Sequence, residues 1–158
     1  MIRRIIILMG SKSDLSFAQE IGKALAEFGL EAEYRIASAH KSAAYLLKIL
    51  ADYEMLDCSR VYITVAGRSN ALSGMVDANV TAPVISCPPY SDRFAGADLF
   101  SSLRMPSGVA PLTVLEPGAA ALAAAKILAL EDPAVRERVA AFQEAQRQRI
   151  LTDDQEIV

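Results

Sequence analysis

A chain of 158 residues, 53% hydrophobic and 22% charged, has too much to bury and too little self-repulsion for a disordered protein, and its length suits one compact domain. Its 16 basic residues against 19 acidic ones leave a net charge of −3, which excludes a broad basic face for nucleic acid. The longest apolar run, Ala119 to Leu130, contains Lys126 and falls short of the roughly 20 residues that cross a bilayer, so no membrane span is expected.

The start, Met1 to Leu8, mimics a secretory leader but runs into Gly10-Ser11-Lys12-Ser13-Asp14 with no small-residue cleavage site, and is read as a buried strand. Apolar runs of strand length then alternate with segments of helical period, the pattern of consecutive βα units on a parallel sheet. Arg4–Met9 is the first strand, continuously apolar as a central parallel strand requires. Asp14–Phe28 sets Leu15, Ala18, Ile21 and Leu25 on one side of a helix, with Gly29 as its C-cap. Glu31–Ile36 alternates Glu31, Glu33 and Arg35 against Ala32, Tyr34 and Ile36, which predicts a strand with one more exposed face. A helix over Ser42–Tyr53 follows. Further strands are expected at Arg60–Val65, Val84–Ser86 and Leu112–Leu115, with helices around Leu72–Val80, Gly96–Leu103 and Pro117–Leu130. Together these make an α/β, three-layer, doubly wound parallel sheet in a single domain over 1–158 with no internal linker.

Gly118 to Leu130 is apolar nearly all round, and its Ala-rich faces predict burial against other subunits. The last helix, Pro133 to about Leu151, has Val135, Val139, Phe142 and Ala145 on one face; packing on its own domain and a role in oligomer contacts are both open. A polar tail is expected after Thr152. Cys58 and Cys87 cannot supply a disulfide framework, nor, with one His in the chain, a zinc set. A reducing, cytoplasmic setting fits best.

Ligands of open parallel sheets bind at the carboxyl ends of the strands. Four polar loops fall there: Gly10 to Asp14, Ala37 to Ser42, Ala66 to Asn70 and Cys87 to Tyr90. In the first, Gly10 lets backbone approach a ligand while Ser11, Ser13 and the first helical N–H groups offer donors to an anion. Ser11 and Asp14 also have the spacing of a capping pair, and the two readings are compatible. The loop is neither a Walker A nor a dinucleotide fingerprint. In the second, His40 beside Lys41 suits a general acid or base, although a loop histidine taken alone is usually just solvated. The third offers Arg68, Ser69 and Asn70, a guanidinium with neutral hydrogen-bonding groups, or else an ordinary turn. Cys87 and Arg93 have the C-x5-R spacing of thiol phosphatases, but Pro88 and Pro89 remove two of the N–H groups such a loop needs. Cys87 is read as a small apolar side chain beneath the pocket.

Met9-Gly10-Ser11-Lys12-Ser13-Asp14, Ser38-Ala39-His40-Lys41 and Ser86-Cys87-Pro88-Pro89 resemble the PurE family of purine biosynthesis, over nearly the whole chain. The common bacterial form, a mutase acting on N5-carboxyaminoimidazole ribonucleotide, typically reads SAHRTP in the second loop and AGGAAHLPGM in the third. This chain has Lys41-Ser42-Ala43, and its third loop runs from Ala66-Gly67-Arg68-Ser69-Asn70 to Met75 without a second His. It is therefore similar to the class II form, the aminoimidazole ribonucleotide carboxylases, and the Ser101–Gly108 stretch points the same way.

The resemblance implies a flavodoxin-like fold and a homo-octamer with shared sites. It also implies reversible carboxylation at C4 of 5-aminoimidazole ribonucleotide by CO2, without ATP, biotin or metal. On that reading His40 handles the C4 proton. Gly10, Ser11, Ser13, Asp14, Ser38, Ala39, Lys41, Gly67, Arg68, Ser69 and Asn70 hold the substrate, with Lys12, Lys41 or Arg68 at the phosphate. Ala39, Ala71, Leu72 and Met75 form an apolar wall that excludes water. The rival readings are the mutase and, since fold never fixes function, a non-catalytic nucleotide-binding module.

Overall fold

The computed structural model describes residues 2–157. Strands β1 (Arg3–Met9), β2 (Ala32–Ile36), β3 (Ser59–Val65), β4 (Val84–Ser86) and β5 (Leu112–Thr113) form one parallel sheet in the order β2-β1-β3-β4-β5. This is the doubly wound, flavodoxin-like order, and it reverses between β1 and β3.

Because successive side chains alternate across a strand, the apolar run of β1 feeds two cores at once. Ile5, Ile7 and Met9 join Val61, Ile63 and Val65 under α1 (Leu15–Ala26), α5 (Pro117–Leu128) and the start of α6 (Pro133–Gln155). Ile6 and Leu8 join Tyr62 and Val84 under α2 (Ala43–Glu54) and α3 (Ala71–Asp77). A short helix α4 (Phe100–Leu103) follows a 3-10 turn at Ala97–Leu99 on the excursion between β4 and β5. The predicted order of elements holds throughout, with ends shifted by a few residues.

Helix α1 ends as expected at Gly29, whose φ of 65° is the left-handed conformation of a C-cap. Gly29 N–H donates to Ala26 O at 3.0 Å and Leu30 N–H to Leu25 O at 3.1 Å. Beyond it, α6 is fastened to the sheet by Asp132, which accepts from Ala134 N–H at 2.9 Å and Val135 N–H at 3.2 Å and pairs with Arg3 at 2.8 Å. Among the described residues no helix is long and apolar enough to cross a membrane.

Three local expectations are sharpened or changed. The more exposed face of β2 is the one bearing Tyr34 and Ile36, 39% and 43% exposed, because Glu33 and Arg35 turn toward α2 and find partners there. Glu33 pairs with Arg4 and accepts Tyr53 Oη at 2.9 Å, while Arg35 lies 5.8 Å from the centre of the Tyr53 ring. The Ala-rich helix α5 finds much of its cover within its own chain: Ala120, Ala121, Ala124, Ala125 and Leu128 are buried there, where small side chains let it pack against α1, β3 and α6. Finally α6 stays helical to Gln155, so the expected tail begins as helix over Asp153 to Gln155, and the helix is exposed on every side beyond Gln143.

Candidate active site

The loops that leave β1, β2, β3 and β4 meet around one cleft of ≈ 610 Å³ at the carboxyl edge of the sheet. The β1 loop brings Gly10, Ser11, Ser13 and Asp14, and the β2 loop brings Ser38, Ala39, His40 and Lys41. Ala66, Gly67, Arg68 and Ser69 come from the β3 loop, with Leu72 from α3 beneath them. The opposite wall is Pro89, Tyr90, Ser91, Arg93 and Asp98, from the excursion after β4.

The β1 loop braces itself. Ser11 Oγ accepts Ser13 N–H at 3.3 Å, and Asp14 Oδ2 accepts Ser11 N–H at 3.1 Å, so the capping pair forms while both serines still face the cleft. Burial raises the Asp14 carboxyl above its ordinary pKa; the bonds from Ser11 and Ser13 and the positive charge of Arg68 oppose that without cancelling it. The β1 and β3 loops therefore share one electrostatic environment. A Cβ on Gly10 would meet Ala66 Cβ at 3.7 Å, Asp14 Oδ2 at 3.9 Å and Val65 O at 4.0 Å, all ordinary contacts.

In the β2 loop a serine clasp sets the turn. Ser38 N–H donates to Ser42 Oγ and Ser42 N–H to Ser38 O, both at 2.9 Å, and Ser38 Oγ accepts Lys41 N–H at 3.2 Å. The clasp holds Ala39, His40 and Lys41 on the cleft wall with the imidazole exposed.

The β3 loop is strained. Arg68 has a φ of 59°, a conformation that costs a non-glycine residue about 1–3 kcal/mol and persists only where its surroundings impose it. Asn70, expected beside Arg68 and Ser69 as a ligand group, lies beneath the cleft instead. Its Nδ2 donates to Ser86 Oγ and Ser102 Oγ at 2.8 Å each, and its Oδ1 accepts Ser73 N–H at 3.2 Å and the Ser73 hydroxyl at 2.9 Å. The N-cap position of α3 turns this side chain inward, where Ser73, Ser86 and Ser102 satisfy it and Thr64 extends the cluster through the Ser73 hydroxyl.

Of the three cations considered for a phosphate, Lys41 and Arg68 line the cleft and Lys12 does not; Ala39 and Leu72 reach its wall, while Ala71 and Met75 do not. Cys87 is fully buried, and burial, then the charge of Glu116, pushes its thiol up to about 12, far from a phosphatase thiolate. The sequence reading missed Ser91, Arg93 and Asp98. The rule that ligand groups follow strand ends reaches Tyr90, but no periodicity announces which later residues of that long excursion fold back.

Residues 4–149 match the family model described as AIR carboxylase. The chain is 58% identical over 154 residues to a phosphoribosylaminoimidazole carboxylase of Archaeoglobus fulgidus, covering 98% of this chain and 84% of that one. To the protein of the same name from Treponema denticola it is 52% identical over 153 residues, covering 97% and 96%. The crystal structure of Treponema denticola PurE superposes with a TM-score of 0.96 at 51% identity, over 98% of each chain. With the sheet order, the cleft and these matches in agreement, the chain belongs to the AIR carboxylase family.

Proposed function

We propose that this protein is an aminoimidazole ribonucleotide carboxylase, adding CO2 reversibly to C4 of 5-aminoimidazole ribonucleotide without ATP. The observation that carries the reading is the convergence of His40, the serine-lined β1 loop and the Arg68 loop on one cleft, in a chain so similar to carboxylases. The substrate is an enamine-like nucleophile. The 5-amino lone pair drives C4 onto the carbon of CO2, which leaves C4 bearing both its proton and the new carboxylate, with positive charge on the ring. His40 removes that proton, its electron pair returns to the ring, and aromaticity is restored; the reverse direction uses the protonated imidazole.

Ser11, Ser13 and Lys41 hold the phosphate, and the raised Asp14 carboxyl accepts from ribose hydroxyls. Arg68 and Ser69 orient CO2 and the developing carboxylate, while Ala39 and Leu72 exclude water around a gas that binds only weakly. Exposed Tyr34 and Ile36 on β2 and Ile150 and Leu151 on α6 support assembly into a homo-octamer that covers them. The free thiols Cys58 and Cys87 support a reducing, cytoplasmic setting.

The test is to supply, without ATP, 5-aminoimidazole ribonucleotide with bicarbonate and, in parallel, the N5-carboxylated isomer, and to follow the C4-carboxylated product at initial rates. Carboxylation of the first with no direct use of the second supports the proposal. The opposite preference makes the protein a mutase, and silence with both leaves a nucleotide-binding module. His40→Asn is expected to keep substrate binding and to lose turnover by about 100-fold or more.

A further inference from the structure

We infer that Asp98 and Ser101 are positioning residues for this carboxylation, two side chains that grip the backbone of Arg68 and so fix where its guanidinium stands in the cleft. The inference deepens the carboxylase reading and rests on it.

The chain places Arg68, an L-residue, at a φ of 59°, where glycine would sit without strain, and then restrains it from thirty and thirty-three positions away. On one side of Arg68 its N–H donates to Asp98 Oδ2 at 3.0 Å. On the other, the Ser101 hydroxyl lies 2.9 Å from Arg68 O and accepts Asn70 N–H at 3.0 Å. That hydroxyl also lies 2.7 Å from Asp98 O, so its single proton is shared between the two carbonyls and the two grips act as a unit. Both peptide groups of Arg68 are thus held by one short segment.

The segment is itself anchored. Ser102 O accepts Thr113 Oγ1 at 3.1 Å, and Ser102 Oγ accepts Asn70 Nδ2 at 2.8 Å, tying α4 to β5 and to the buried hydroxyl cluster. Among the described residues no ion pair joins the Asp98 carboxylate to the Arg68 guanidinium; the carboxylate is spent on the backbone and leaves the guanidinium free to face the cleft. Release of the grip lets φ return to negative values, which redirects Cβ and swings the guanidinium away from its place opposite the β1 loop. A displacement of that size is enough to spoil a reacting geometry.

The experiment compares wild type, Asp98→Ala, Asp98→Asn, Ser101→Ala and Arg68→Ala in the carboxylation assay, with amide hydrogen exchange at Arg68 as a readout independent of activity. Asp98→Ala and Ser101→Ala are expected to lower kcat/KM by about 10–100-fold with little change in urea midpoint. Asp98→Asn, whose Oδ1 still accepts, recovers most of the loss, and Arg68 N–H exchanges about tenfold faster or more in Asp98→Ala. In an Arg68→Ala background, Asp98→Ala costs little more, because its effect acts through Arg68.

Equal impairment by Asp98→Asn and Asp98→Ala overturns the inference, as does an undiminished effect in the Arg68→Ala background or normal kinetics in both alanine variants. If the alanine variants do not fold, an unprotected Arg68 N–H in the wild type overturns it and a protected one, with activity in Asp98→Asn, supports it. Failure of the carboxylase reading is seen separately, as absence of turnover in the wild type.

Discussion

At Gly10 the fold leaves space that it does not use. A methyl group there makes ordinary contacts with its protein neighbours and needs no left-handed backbone, yet it projects into the cleft beside Ser11. Gly10→Ala is therefore expected to melt within about 2 °C of wild type while kcat/KM falls by about tenfold or more, read by thermal unfolding and initial rates. Asn70→Ala should behave in the opposite sense. It removes the α3 cap and strands the buried Ser86 and Ser102 hydroxyls, a loss of about 2–4 kcal/mol in urea unfolding. The contrast shows what residue identity can disclose. Loop position after a strand correctly brings Ser11, His40 and Arg68 to the cleft. A polar residue in such a loop carries no mark of which way it turns, and Asn70 turned down. Asp98 was illegible for another reason: its partner is a backbone N–H thirty residues earlier, and backbone groups look alike in any sequence.

Among the elements, the junction of α2, β3 and β4 is organised by Glu54, at the end of the sheet opposite the cleft. Burial raises the Glu54 carboxyl, but bonds from Thr81 N–H, Tyr62, Arg60 and the Thr81 hydroxyl outweigh it and leave the group below its ordinary pKa. A carboxylate depressed in the folded state stabilises the protein fully above its unfolded value, about 4.3, and that contribution disappears as pH falls through the lower folded value. Glu54→Gln should therefore be less stable than wild type at pH 7, with the gap closing progressively below about pH 4.5 in urea titrations. The periodicities of α1, β1 and β3 were plain because each buries one or both faces against apolar neighbours. For β2 the alternation separated two faces but could not say which meets a helix. The Arg4–Glu33–Tyr53 group decided that, and it is assembled from three elements. Similarly, the all-round apolarity of α5 predicted burial correctly but could not say against what, and α1, α6 and β3 supply much of the cover within the same chain.

For the whole molecule, the last turns of α6 contribute nothing to the core: Val135, Val139 and Phe142 are its packed residues, and Ile150 and Leu151 are 67% and 54% exposed. Truncation after Gln143 is expected to leave the melting temperature within a few degrees of wild type and, on the assembly proposed above, to lower the molecular mass by light scattering well below that of the full-length chain. A full-length chain that is monomeric in solution would remove the assembly proposal without touching the fold.

The sheet order also constrains how the chain is made. β1 is synthesised first yet lies in the interior of the sheet, and its partner on one side, β3, begins at Ser59. Until Val65 has left the ribosome, the run Ile5 to Met9, fully covered in the finished molecule, has an open edge and both faces without their full cover. Nascent chains shorter than this are adhesive β-forming polymers rather than partial enzymes, and the interval between β1 and β3 is when a chaperone is most needed.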